Sequence, residues 1–156
     1  MADGVISTGL AGVISTQRTE RRIEGPGMDA TERVRKSLVV DDECMVRDLM
    51  ITVLSMEGFF ACSARNANEA RQILKTPTHF DLILLNLTMP DESGWQLLNW
   101  IRSRPDTSVT PVVMLTRLES RGLSEKPVAD LVDGVFVKGR FSLHLFHRVI
   151  TRAMHD

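Results

Sequence analysis

Val34-Arg-Lys-Ser-Leu-Val-Val-Asp-Asp-Glu43 is the stretch from which the rest of the chain can be read. An apolar, β-branched run stops abruptly at three consecutive acids, the pattern of a buried strand ending in an acidic loop. Outward from it, Val46, Leu49, Met50, Val53 and Leu54 recur at helical spacing, and Gly58 stands where that helix would stop. Phe59–Ser63 predicts a second strand. Asn68–Lys75 predicts a second helix, with Asn66 or Asn68 as its N-cap. The nearly continuous apolar run Phe80–Leu85 suits a parallel strand covered on both faces. Pro90 and Gly94 mark a turn, after which Trp95, Leu97, Leu98 and Ile101 fit a third helix. Pro111–Leu115 predicts a fourth strand. Residues 117–134 are polar, with Pro127 suited to the first turn of a short helix. Val135–Val137 predicts a fifth strand. A final helix is expected from about Ser142, its N-cap, with Leu143, Phe146, Val149, Ile150 and Met154 along one side.

Strand and helix thus alternate through five rounds. That alternation predicts an α/β fold, a doubly wound five-stranded parallel sheet with right-handed crossovers. Residues 1–33 are expected to be a disordered tail and 34–156 one domain. The tail is rich in Gly, Ser, Thr and Arg without periodicity, and the repeat of Gly4–Thr8 at Gly12–Thr16 is too short to bury a face. Met28, after Gly25-Pro26-Gly27, is a second candidate start.

Composition sets limits on function. The chain has 156 residues, 43% hydrophobic and 25% charged, which fits one ordinary globular domain. A net charge of −1 offers no basic surplus for nucleic acid or anionic lipid. No apolar run reaches membrane-spanning length, and the N-terminus does not resemble a secretory signal, so a cytoplasmic location is expected. Cys44 and Cys62 are read as reduced, small core or near-core residues.

In doubly wound folds, functional groups gather at the carboxyl ends of the strands. Those positions hold Asp41, Asp42 and Glu43 after the first strand, Asn86 after the third, Thr116 after the fourth and Lys138 after the fifth. Clustered carboxylates call for a cation or a lysine nearby. Two readings stay open on this chemistry: a magnesium site of oxygen ligands, or an acidic loop closed by a lysine salt bridge.

Leu38-Val-Val-Asp-Asp-Glu43, Asp81-Leu-Ile-Leu-Leu-Asn86 running into Met89-Pro90, Pro111-Val-Val-Met-Leu-Thr116 and Val135-Phe-Val-Lys138 resemble the receiver domain of bacterial response regulators. The separations of 45, 30 and 22 positions between Asp41, Asn86, Thr116 and Lys138 match that family too. The resemblance spans Val34–His155 and implies a flavodoxin-like (βα)5 fold. It implies that Asp41 and Asp42 bind magnesium with help from the backbone carbonyl of Thr88. Thr116 and Lys138 would contact a phosphoryl group. The acceptor position, an aspartate in the family, is Asn86.

An amide has no anionic oxygen to attack phosphorus, so an acyl phosphate is not expected there. Losing that carboxylate also weakens the expected magnesium site. Val135 stands where the family has its switch aromatic, and Gly139 stands where a proline usually follows the lysine. The expectation is a stand-alone, non-enzymatic receiver-like signalling module that acts by protein contact without ordinary aspartyl phosphorylation. Its expected partners are a histidine kinase, a phosphotransfer protein or an output protein, with neither nucleic acid nor membrane. The alternatives are a regulator phosphorylated elsewhere, for example at Asp91, and a magnesium-dependent phosphatase-like enzyme, against which Asn86 argues. His144 and His147, three apart, are read as surface residues rather than metal ligands. Of Trp95 and Trp100, one is expected in the core. Arg117 is read as solvated.

Overall fold

A computed structural model describes residues 33–117 and 131–155. Strand β1 (Arg35–Val40) leads through helix α1 (Cys44–Met56) to β2 (Phe59–Ala64) and α2 (Ala67–Leu74). Then come β3 (Leu82–Asn86), α3 (Gly94–Ser103), β4 (Val112–Thr116), β5 (Gly134–Val137) and α4 (Leu143–His155). The strands form one parallel sheet in the order β2-β1-β3-β4-β5. The chain winds one way from β1 to β2 and the other way from β3 onward. That reversal opens a crevice at the carboxyl ends of β1 and β3.

Two cores lie on the two faces of this sheet. Because side chains alternate along a strand, Leu38, Val40, Ile83, Leu85, Val112 and Met114 pack with α2 and α3 on one face. Their neighbours Val39, Leu82, Leu84, Val113, Leu115 and Phe136 pack with α1 and α4 on the other. Every residue of β3 and β4 is buried, which is why both read as continuous apolar runs.

Local chemistry sets the element ends. Gly58, at φ +92°, takes the left-handed conformation that ends α1 at little steric cost. Asn66 Oδ1 accepts from the Glu69 N–H at 2.8 Å, so Asn66 rather than Asn68 caps α2. Ser93 and Gln96 form a reciprocal capping box at the start of α3. The Ser142 hydroxyl accepts from the Leu145 N–H at 3.0 Å at the start of α4.

Some expectations need correction. The third strand begins at Leu82 rather than Phe80, whose ring is a buried plug before the strand. Cys44 is exposed at the first position of α1, while Cys62 is half-buried. Neither tryptophan is fully buried. Both pack on the rim of the α2–α3 core, and the guanidinium groups of Arg71 and Arg104 each lie over the Trp100 ring. The tail and the Pro127 helix lie outside the described residues, save for Arg33.

Candidate functional site at the strand ends

Asp41 continues β1 by one residue, its N–H donating to the Ala64 carbonyl at 3.1 Å. Its side chain is fully buried. Oδ1 accepts from the Glu43 N–H at 2.9 Å, a local turn that aims the chain into α1, where Glu43 makes no side-chain cap. Oδ2 lies 2.7 Å from Lys138 Nζ.

Lys138 follows β5 and opens a single 3-10 turn, Lys138–Arg140. Its ammonium reaches three oxygens: Asp41 Oδ2, Asn86 Oδ1 at 3.0 Å, and Glu43 Oε1 at 3.5 Å. Of these, the Asn86 contact is a hydrogen bond and the two carboxylate contacts are ion pairs, which offset the cost of an ammonium whose side chain is only 11% exposed.

Asn86 is the last residue of β3 and is 5% exposed. Its carbonyl end accepts from Lys138. Its Nδ2 donates to Asp42 Oδ1 at 3.0 Å and to the Thr88 carbonyl. Thr116 ends β4, buried at 2% exposure. Asp42, Glu43, Asn86, Leu87, Thr88, Thr116, Arg117 and Lys138 line a cavity of about 390 Å³. All six expected site residues therefore meet at one edge: five line the cavity, and Asp41 braces Lys138.

Two members went unassigned in the sequence. Glu43 contacts Lys138, and its other oxygen pairs with Arg117, which is solvent-exposed as expected and also lines the cavity. The signal was present as a third acid in the loop and an arginine directly after Thr116. The partners lie 74 positions apart, so only the sheet order joins them.

The loop between β3 and α3 is clamped to α2. Asp91 accepts from the Ala67 N–H at 3.2 Å and the Asn68 N–H at 3.1 Å, and Arg71 holds Glu92 with two bonds of 2.7 and 2.6 Å. Burial works to raise the Asp91 carboxyl, but the N–H donors of Ala67 and Asn68 and of its own turn outweigh it, leaving it below the ordinary aspartate value. Gly94 closes the loop. A Cβ there would lie 2.3 Å from the Asn86 carbonyl oxygen, so the close approach requires glycine.

Val135 is partly exposed, while the β5 aromatic is the buried Phe136, edge-on to Phe141 and Phe146 on the sheet's other face. His147 Nδ1 lies 2.7 Å from Glu57 Oε1. Among the described residues no three His, Cys, Asp or Glu side chains are grouped to hold a metal, and no helix is long and apolar enough to cross a membrane.

A five-stranded parallel sheet in this order, with acids, a hydroxyl and a lysine at its carboxyl edge, defines a receiver-type domain. The family model for the response regulator receiver domain matches residues 37–142, and the chain belongs to that family. The transcriptional regulatory protein GltR of Pseudomonas aeruginosa is 38% identical over 82 residues, 53% of this chain and 34% of that protein. The phosphate regulon transcriptional regulatory protein PhoB of Escherichia coli is 37% identical over 100 residues, 64% of this chain and 42% of that one. The chain thus spans less than half the length of these relatives. Among solved structures, chemotaxis protein CheY4 of Vibrio cholerae superimposes with a TM-score of 0.69 at 25% identity, covering 78% of this chain and 99% of that one. The response regulator TrrA of Thermotoga maritima, solved with Mg(2+)-BeF, does so with a TM-score of 0.66 at 25% identity, covering 76% and 98%.

Receiver domains generally bind magnesium at the acceptor site. Of the residues expected to hold it, Asp41 is ion-paired to Lys138 through Oδ2, and Asp42 Oδ1 and the Thr88 carbonyl are hydrogen-bonded to the Asn86 amide. As arranged, the residues do not fit the ion.

Proposed function

We propose that this chain is a receiver-type signalling module that works by protein contact, is not an enzyme, and does not use aspartyl phosphorylation at the usual position. One observation carries the reading. The residue at the centre of the site is an amide, buried, with its oxygen on Lys138 and its nitrogen on Asp42. It has no anionic oxygen to attack a phosphoryl donor, and its neighbours hold it in place. Asp91, the other carboxylate considered as an acceptor, caps α2 with both oxygens, which argues for a structural role. The partners that suit this module are signalling proteins rather than nucleic acid: a histidine kinase, a phosphotransfer protein or an output protein.

Acetyl phosphate with magnesium tests the reading. The wild-type chain should remain unlabelled, whereas Asn86→Asp should gain acid-stable, base-labile label. The pocket of Asn86→Asp keeps Asp41, Asp42, Thr116 and Lys138 for positioning and charge neutralisation. Labelling of the wild type near one phosphoryl group per chain would overturn the proposal.

A further inference from the structure

We infer that the amide nitrogen of Asn86 stands in for a divalent cation at this edge, so that the site is closed to magnesium by its own side chain. The inference rests on the receiver reading above and specifies how the site is held. An NH2 group carries two hydrogens, and here it meets two acceptors, Asp42 Oδ1 and the Thr88 carbonyl. These are the oxygens a magnesium ion would draw on, since that ion takes oxygen ligands in a tight octahedron.

The orientation of the amide follows from its neighbours. Its other end faces Lys138 Nζ at 3.0 Å, and an ammonium can only donate. Exchanging the amide's ends would set NH2 against the ammonium and carbonyl oxygen against the Asp42 carboxylate, two repulsive contacts in place of attractive ones. Nor can Lys138 withdraw at low cost, because it neutralises the fully buried Asp41. A cation entering the site must displace both N–H···O hydrogen bonds and then leave the amide with no good orientation.

Asn86 is therefore a competitor of the cation, and more than a weaker ligand than aspartate. The latch joins the end of β3, the loop at Thr88 and the loop before α1, a linkage that a metal ion would otherwise make. The edge is held in one arrangement whatever the magnesium concentration.

The two accounts of Asn86 make opposite predictions for its removal. If Asn86 is a poor ligand, Asn86→Ala loses one more oxygen and binds magnesium no better than wild type. If Asn86 is a latch, Asn86→Ala frees Asp42 and the Thr88 carbonyl, and binding tightens by roughly tenfold or more, the equivalent of one to two ordinary hydrogen bonds. Calorimetric titration of the full chains with magnesium chloride, without phosphodonor, reads this directly, with Asn86→Asp as the tightest of the three. A second measurement uses the wild type alone. The Asn86 side-chain NH2 protons should exchange slowly with water and keep their NMR shifts through millimolar magnesium. Equal or weaker binding by Asn86→Ala, or fast-exchanging or magnesium-shifted Asn86 protons, overturns the latch. Labelling of the wild type by a phosphodonor would instead sink the proposed function, so the two failures are distinguishable.

Discussion

Replacing Lys138 with methionine removes the ammonium and keeps most of the stem. Asp41 is then left as a fully buried carboxylate whose side chain retains one described donor, the Glu43 N–H at 2.9 Å. Asn86 Oδ1 also loses the donor it has at 3.0 Å. Removing one partner of a buried pair typically costs ~3–5 kcal/mol. The Lys138 side chain is 11% exposed beside an open cavity, so water can partly replace it, and the lower end applies: about 3 kcal/mol. For a domain of this size that lowers Tm by roughly 10 °C without unfolding the protein at ambient temperature. Urea unfolding followed by circular dichroism reads the loss as a lower midpoint at unchanged slope. The double variant Asp41→Asn with Lys138→Met supplies the control. Removing both charges should cost less than the sum of the single losses, by about 1 kcal/mol or more. A Lys138→Met loss below about 1 kcal/mol, or strict additivity in the double variant, would refute the claim that a buried pair organises this edge.

Gly94→Ala should destabilise by ~3 kcal/mol or more, because its Cβ would meet backbone atoms of Asn86 and Leu87 that cannot yield. Gly139→Ala, with nothing within 4 Å of the added Cβ, should change the melting temperature little. Asp91→Ala should cost about 1 kcal/mol through the lost cap on α2. The folded-state carboxyl of Asp91 lies below its ordinary value, so its contribution is full above that value and is lost as pH falls through the folded one. The gap between wild type and Asp91→Ala should therefore narrow in acid melts, and a gap that widens would count against the cap. Arg148, exposed on α4, offers charge to a partner, and Arg148→Glu should weaken capture of a cognate partner without shifting the melting curve. Unchanged capture would turn attention to α1.

The alternation of strands and helices was legible because its signals are local. A strand covered on both faces must be apolar throughout, as β3 and β4 are, and an amphipathic helix must repeat at three and four, as α1 does. Sequence alone also placed Asp41, Asn86, Thr116 and Lys138 at strand ends, and the family spacing named the acceptor position. Tertiary structure decided what those groups do to one another. The choice between Asn66 and Asn68 as cap turned on a single hydrogen bond, and the burial of Trp95 and Trp100 on which helices lay beside α3. Asp91 became a cap because α2 passes above the loop, and Glu43 found Arg117 across 74 positions because β1 and β4 both flank β3. The decisive case is Asn86. Its identity is a fact of sequence, but whether its amide is a ligand or a latch depends on which end faces Lys138, a residue 52 positions away. Periodicity reports the solvent on either side of a chain segment, whereas a buried polar group is governed by the donors and acceptors that folding brings against it.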